Sequence, residues 1–320
     1  MANPKYDVQK EYINITNYSP FCHINEVSQE YREKPFELPF IFRFFEERPV
    51  HPDTFHDLKL NENEIIRKKL VFPTSSFRTM YEPEENICYK VPLLRKITRC
   101  VRDLQPIQMK RSERASVLLE NNKFEGFQFV PEECHYADDP IFNFIIRKMP
   151  ETEVFPWFYV ISSQKFNSDF EINCMSQIIK SWMFLASKGI YLESPHTQNF
   201  LVDNNSTAYY RDLSDIRVFK AKSHEDEILL PVYYGRVQTT IGEDLAVIFD
   251  RCICNQNLDH LFRYGTKLGE REKKNLKELI ESEIKKYGLP FPEYSMDFSK
   301  DIPSPKTPEK RELVYWRKFN

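Results

Sequence analysis

Glycine is scarce in this chain, with seven in 320 residues against 21 prolines. No G-x-x-x-x-G-K or G-x-G-x-x-G run occurs, which excludes the two commonest glycine-rich phosphate loops. Cysteine is present without organisation. Cys22, Cys88, Cys100, Cys134, Cys174, Cys252 and Cys254 are odd in number and form no C-x-x-C. They read as reduced thiols of a cytoplasmic protein, not as a disulfide framework or a zinc ribbon. No apolar run is long enough to span a bilayer, and the first residues lack an apolar core of signal type, so no membrane partner is expected. Basic residues are not in excess. Forty-five Lys and Arg face 48 Asp and Glu, the net charge is -3 and the pI is near 6.2, so nucleic acid is not an expected partner.

What is abundant is aromatic. Twenty-six Phe, 17 Tyr and three Trp bring the aromatic share to 14%, which a disordered chain would not carry. The length suffices for two domains. Residues 68–104 alternate in short runs: Phe77, Thr79 and Tyr81, then Tyr89 and Val91, with Lys90 on the opposite face. Pro92 marks an edge or an end of that strand. Residues 127–130 and 141–149 read as further strands of an antiparallel sheet, the second apolar up to Arg147.

The pattern then changes. Residues 173–188 place Cys174, Met175, Ile178, Ile179, Trp182, Met183 and Ala186 at helical spacing, closed by Gly189. A second helix is expected over 243–264 through Leu245, Ile248, Phe249, Cys252, Leu258 and Leu261. A third is expected over 270–287, closed by Gly288. The tail 301–308 is proline-rich and expected to be irregular. Together these predict an α+β protein: a β-rich lobe over 1–150 and a mostly helical lobe over 151–320, with a ligand cleft between them.

Residues 189–215 concentrate the chemistry. Apolar runs at 190–192, 200–202 and 208–210 predict strand, polar turn, strand, Asn-Asn-Ser turn and strand. His196, Gln198 and Asn199 fall in the first turn, and Arg211, Asp212 and Asp215 follow the last strand. Asp212 and Asn199 offer oxygen ligands that suit Mg²⁺, and His196 can meet a phosphate or developing charge. The competing reading is an Asn-rich turn and a strand-end ion pair. His196 has no His or Cys at ligand spacing, which disfavours zinc.

Three more constellations lie upstream. Thr74, Ser75, Ser76 and Arg78 gather three hydroxyls and a guanidinium within a short turn, suited to phosphate oxygens or equally to an ordinary turn into a strand. Lys90 could neutralise a phosphate. For Arg95, Lys96 and Arg102, a solvated face is the better reading. Arg147, ending an apolar strand, needs an anionic partner, either a phosphate or a structural carboxylate.

In order, PVHP (49–52), TSSFRT (74–79), KVPLLRKITR (90–99), IIR (145–147), GIYLESPHTQN (189–199) and RD (211–212) resemble the NRPS-independent siderophore synthetases of the aerobactin-synthetase type. The ordered set, over about residues 40–220, is far more specific than any one motif. The resemblance implies ATP and Mg²⁺ bound between β-rich fingers and a helical palm. It implies adenylation of a carboxylic acid, citrate or a relative, and transfer to an amine or hydroxyl. It places Thr74, Ser75, Ser76, Arg78 and Lys90 on the triphosphate, with Arg147 beside them. Arg99 and His196 become catalytic groups, Gln198, Asn199 and Asp212 nucleotide contacts, and Asn199 and Asp212 metal ligands. The chain departs from the family pattern at Asp53, where a tryptophan is usual, and in the two residues between Glu193 and His196. The resemblance also leaves the family's N-terminal thumb unmatched, so a truncated member is expected, its thumb supplied by a homodimer or a partner chain. Two further classes stay open: a nucleotide-binding or regulatory module without ligase activity, and a kinase-like phosphotransferase.

Overall fold

The computed structural model describes residues 40–74, 76, 78–96, 101–163, 165–230, 245–246, 248–266 and 268–291. The expected tail at 301–308, together with Ser75 and Arg99, lies outside them, as do the side chains of Arg95, Lys96, Arg102 and Cys252. The fold is mixed α+β. Two units divide the chain, one of residues 1–116 and 130–155, the other of 117–129 and 156–320.

The strands of the first unit begin with β1 (Phe40–Phe45), β2 (Arg48–Val50), β3 (Ile65–Pro73), β4 (Thr79–Glu82), β5 (Ile87–Lys90), β6 (Leu93–Lys96) and β7 (Val101–Arg102). Helix α1 (Pro52–Asp57) follows β2, and α2 (Pro106–Glu120) follows β7. The PVHP segment starts α1: His51 Nδ1 accepts the Asp53 N–H at 3.1 Å, and Pro52 occupies the first turn, where its missing N–H costs nothing. After β8 (Phe127–Phe129), a strand of the other unit, come β9 (Glu132–His135), β10 (Phe144–Lys148) and β11 (Val154–Pro156).

Seven of these strands form one antiparallel sheet in the order β2-β1-β3-β4-β5-β10-β9. Phe42, Phe44, Val71, Met80, Tyr89, Val91 and Phe144 bury one of its faces. Under α2 lies the opposite face, with Leu104, Met109, Ile145 and Cys134 packed together. Helix α2 is legible only after the fact. Its buried stripe runs Met109, Ser112, Ala115, helically spaced but small and partly polar.

The second unit holds α3 (Trp157–Ser163), α4 (Ser168–Ser187), α5 (Asp259–Tyr264) and α6 (Glu270–Tyr287). Asn167 caps α4, its Oδ1 accepting the Phe170 N–H at 2.9 Å, and Gly189 closes it at φ +78°. Helix α6 packs on α4 and ends at Gly288, φ +58°. Strand β12 (Ile190–Leu192) pairs antiparallel with β15 (Ile216–Val218). Between them, β13 (Phe200–Asp203) and β14 (Ala208–Tyr210) form the expected hairpin, and β14 pairs in parallel with β8. Asp203 Oδ1 accepts from the N–H groups of Asn205 and Thr207, both at 2.9 Å, which closes the Asn-Asn-Ser turn. The expected α-helix over 243–264 is different in kind at its centre: Leu245, Ala246 and Ile248 are α-helical, Phe249–Leu258 is π-helical, and Asp259–Tyr264 is α again. Among the described residues, no helix is long and apolar enough to cross a membrane.

Candidate functional site

In the β-rich unit, residues 74–78 connect β3 to β4. The Thr74 N–H donates to Thr79 O at 3.0 Å, and the Thr79 N–H to Ser76 O at 3.1 Å. Thr74 Oγ1 accepts the Ser76 N–H at 3.2 Å, which makes a local side-chain turn. Arg78 Nη1 donates to Asp103 O at 2.6 Å.

Register places the charged groups on one face. Thr79 pairs with Lys90 and Lys90 with Ile145; Tyr81 pairs with Cys88 and Cys88 with Arg147. Lys90 and Arg147 therefore share the face covered by α2. Both are buried, Lys90 at 3% exposure, so Lys90 does not stand on a solvated strand face. Arg147 Nε meets Glu132 Oε1 at 2.7 Å, and the Ser112 hydroxyl donates to Glu132 Oε2. The structural carboxylate partner of Arg147 is thus Glu132, which the sequence did not single out. The surroundings are dry enough that burial, helped by the Glu132 charge, pushes the Cys134 thiol up to about 12.

In the helix-rich unit, one turn gathers the rest. His196 opens a 3₁₀ turn over Thr197–Asn199. The β13–β14 ladder ends at Phe200 and Tyr210 and is prolonged by the Arg211 N–H to Asn199 O at 2.9 Å. Asn199 and Asp212 therefore sit at the same end of that hairpin. The turn carbonyls are held one by one. Ser194 O accepts from the His196 N–H at 2.8 Å and from Asn199 Nδ2 at 3.0 Å. His196 O accepts from the Asn199 N–H at 2.9 Å. Gln198 O accepts from the Arg211 guanidinium at 2.9 and 2.6 Å. Pro195 O accepts from Asn257 Nδ2 at 2.6 Å. With Nδ2 engaged, the Asn199 side chain presents its amide oxygen.

Asp212 adopts the left-handed conformation, φ +77° and ψ 60°, which few side chains enter and aspartate enters more readily than most. Ser214 Oγ donates to Asp212 Oδ1 at 3.1 Å. Glu193 is occupied by the buried Arg217, whose Nη2 lies 2.7 Å from Glu193 Oε2 while Nη1 donates to Ser214 O and Ile216 O. That pair ties the two limbs of the polar turn together. An oxygen pair such as Asn199 and Asp212 fits a hard divalent cation.

Each set is local to its unit. Thr74, Ser76, Arg78 and Lys90 gather around the start of β4, Arg147 lies one row of the sheet away, and His196, Gln198, Asn199 and Asp212 gather at one hairpin end. Sequence reasoning missed Ser112, Glu132, Arg217 and Asn257. It also missed two buried hydroxyls, Thr79 Oγ1 and Thr197 Oγ1, that have no hydrogen-bond partner among the described residues. An open pocket of about 310 Å³ in the helix-rich unit, bounded by Lys188, Gly189, Ile190, Val218 and Phe219, lies at the far end of the β12–β15 ribbon from the polar turn. It contains none of these residues.

Among curated proteins none matches the chain. A solved structure similar to it is a divergent kinase that lacks the glycine-rich loop and regulates membrane ultrastructure of the Toxoplasma parasitophorous vacuole. The identity is 13%, over 81% of this chain and 76% of that one, with a TM-score of 0.35, too low to support any argument. The model of the IucA / IucC family matches residues 51–143, less than a third of the chain. That segment contains the TSSFRT turn, Lys90, α2 and β9, so over residues 51–143 the resemblance to the siderophore synthetases is a match to the IucA / IucC family itself.

Proposed function

We propose that the chain is an ATP-dependent synthetase of siderophore biosynthesis, adenylating a di- or tricarboxylic acid such as citrate for condensation with an amine or hydroxyl. The observation that carries this reading is the family match over 51–143. In this reading the β-rich unit acts as fingers and the helix-rich unit as palm, each contributing its own polar set to one nucleotide, in a cytoplasmic setting. Thr74, Ser75, Ser76, Arg78 and Lys90 bind phosphate oxygens, and Arg147 adds charge beside them. Gln198 contacts the nucleotide, and Asn199 and Asp212 hold Mg²⁺. The ion, when bound, neutralises phosphate charge and makes the α-phosphorus more electrophilic. His196 and Arg99 meet the charge that develops during transfer.

The acid needs no base, because its carboxylate is already ionised at neutral pH. One of its oxygens bonds to the α-phosphorus as the bond to the bridging oxygen breaks, and pyrophosphate leaves. The amine then attacks the acyl carbon, AMP leaves, and the amine proton passes to solvent. The test is pyrophosphate release from ATP across a panel of acids, with AMP and ADP quantified. Citrate-dependent pyrophosphate and AMP, accelerated by an amine, are expected. ADP with a phosphorylated hydroxyl acceptor would replace this reading by a phosphotransferase. Failure of the folded chain to bind Mg-ATP would remove both. Arg78→Ala and Asp212→Ala should each weaken Mg-ATP binding by ~1.5–3 kcal/mol, roughly tenfold to a hundredfold, in calorimetric titration.

A further inference from the structure

The turn carrying His196, Gln198 and Asn199 is anchored from outside its own hairpin. Asn257 Nδ2 donates to Pro195 O at 2.6 Å across 62 residues of sequence, and Asn257 has 0% exposure. A fully buried amide needs a reason, since its neighbours on the same segment, Ile253, Leu258 and Leu261, are buried and apolar. The segment supplies a second, independent observation. Phe249–Leu258 is π-helical. Such turns make up well under about 1% of residues and concentrate at functional sites. An α-helical period of about 3.6 residues from Phe249 would carry the inward face through 252–253 and 256. In the wider turn that face carries Ile253, Cys254, Asn257 and Leu258, all buried.

The bond falls on a consequential peptide. Pro195 C=O and His196 N–H belong to one rigid plane. Asn257 holds the oxygen, and Ser194 O holds the N–H at 2.8 Å. With both edges bonded the plane cannot rotate, so the direction in which the His196 side chain leaves the backbone is set. Proline has no N–H of its own with which to anchor the preceding peptide.

We propose that Asn257 is a positioning residue of the candidate site, and that the π-helical register places its amide where it can fix the Pro195–His196 peptide. Its consequence for turnover rests on the synthetase reading above; its effect on the turn does not. The experiment uses the full chain with Asn257→Asp, which keeps the shape and removes the donor, and Asn257→Ser, which keeps a shorter donor. Amide hydrogen exchange, Mg-ATP affinity and citrate-dependent pyrophosphate release are measured on each. In Asn257→Asp, exchange at His196 and Asn199 should rise at least about tenfold while α4 amides stay at wild-type rates. Turnover should fall about tenfold to a hundredfold with KM for ATP within about threefold, the signature of lost orientation. Asn257→Ser should fall between wild type and Asn257→Asp. Unchanged exchange at His196 in a folded Asp variant overturns the proposal, as does an equal rise throughout the unit or the failure of both variants to fold. If the wild type releases no pyrophosphate, the synthetase reading fails and the exchange data alone decide the role of Asn257.

Discussion

Glu132→Gln strips the charge from the buried pair with Arg147 while keeping a side chain of the same shape. The side chains are 0% and 4% exposed and 2.7 Å apart, so little water is available to solvate the stranded guanidinium. Two unit charges about 4 Å apart interact by about 4 kcal/mol at an effective dielectric near 20. Breaking a buried pair from one side costs a similar 3–5 kcal/mol or so. The amide oxygen of Gln can still accept from Arg147 or Ser112, which returns about 1 kcal/mol. The expected loss is therefore about 3 kcal/mol, read from urea unfolding at neutral pH. Adding Arg147→Met removes the stranded cation, and the double variant should lie within about 2 kcal/mol of wild type. A single variant within about 1 kcal/mol of wild type would refute the reasoning. So would a double variant no more stable than the single. The double variant also separates two roles of Arg147: if its guanidinium reaches phosphate, the refolded pair-less protein binds Mg-ATP about tenfold to a hundredfold more weakly. Unchanged affinity would leave Arg147 to the fold alone.

Asp212→Gly relieves a left-handed backbone that Asp212→Ala retains, so the Gly variant should be the more stable of the two by about 1 kcal/mol, with Mg-ATP affinity reduced in both. Equal stabilities would show that no strain resides there. Glu171 is raised to about 6 from 4.5 by burial, against the opposing hydrogen bonds from Thr266. Its contribution is fully present below pH 4.5 and is lost as pH rises through about 6. After allowance for solvent screening, Glu171→Gln should gain roughly 1 kcal/mol on wild type between pH 4 and 7, and parallel stability curves would contradict this. Gly126 sits at φ +78°, and an added Cβ would lie 2.5 Å from the mobile end of Gln177. Gly126→Ala should cost about 1–2 kcal/mol of backbone strain, measured by thermal unfolding; no loss would mean that the turn relaxes.

The parts of the fold with strong periodicity were legible. The Trp182 helix, the 270–287 helix with its closing glycine, and the strands around Tyr89 and Tyr210 all follow from spacing and turn residues. Helix α2 was not, because its inward stripe includes Ser112, whose burial makes sense only once Glu132 faces it. The 249–258 segment was read with an α period that turns Cys252 inward, since nothing in composition announces a π-helical register. Lys90 was legible as facing away from Tyr89 and Val91, but not as buried, because a strand pattern does not show what covers its second face. The His196 turn was legible as a turn. Its anchoring was not, because Asn257 and Arg217 arrive from segments whose approach depends on tertiary packing.

The two units are interleaved along the chain: residues 117–129 belong with the second and 130–155 return to the first. Strand β8 must wait for β14, some eighty residues later, before its parallel pairing can form. The seven-stranded sheet, for its part, lacks β9 and β10 until residues 132–148 have been made. During synthesis the first unit can close once residue 155 has emerged, but only after residues 117–129 of the second have been made between its two parts. The same order governs dissection. No single cut yields either unit whole and alone. A fragment beginning at 156 loses β8, and one beginning at 117 carries strands whose sheet is missing. Isolating either unit therefore means rejoining its two segments, by an internal deletion with a linker or by coexpression of complementary pieces.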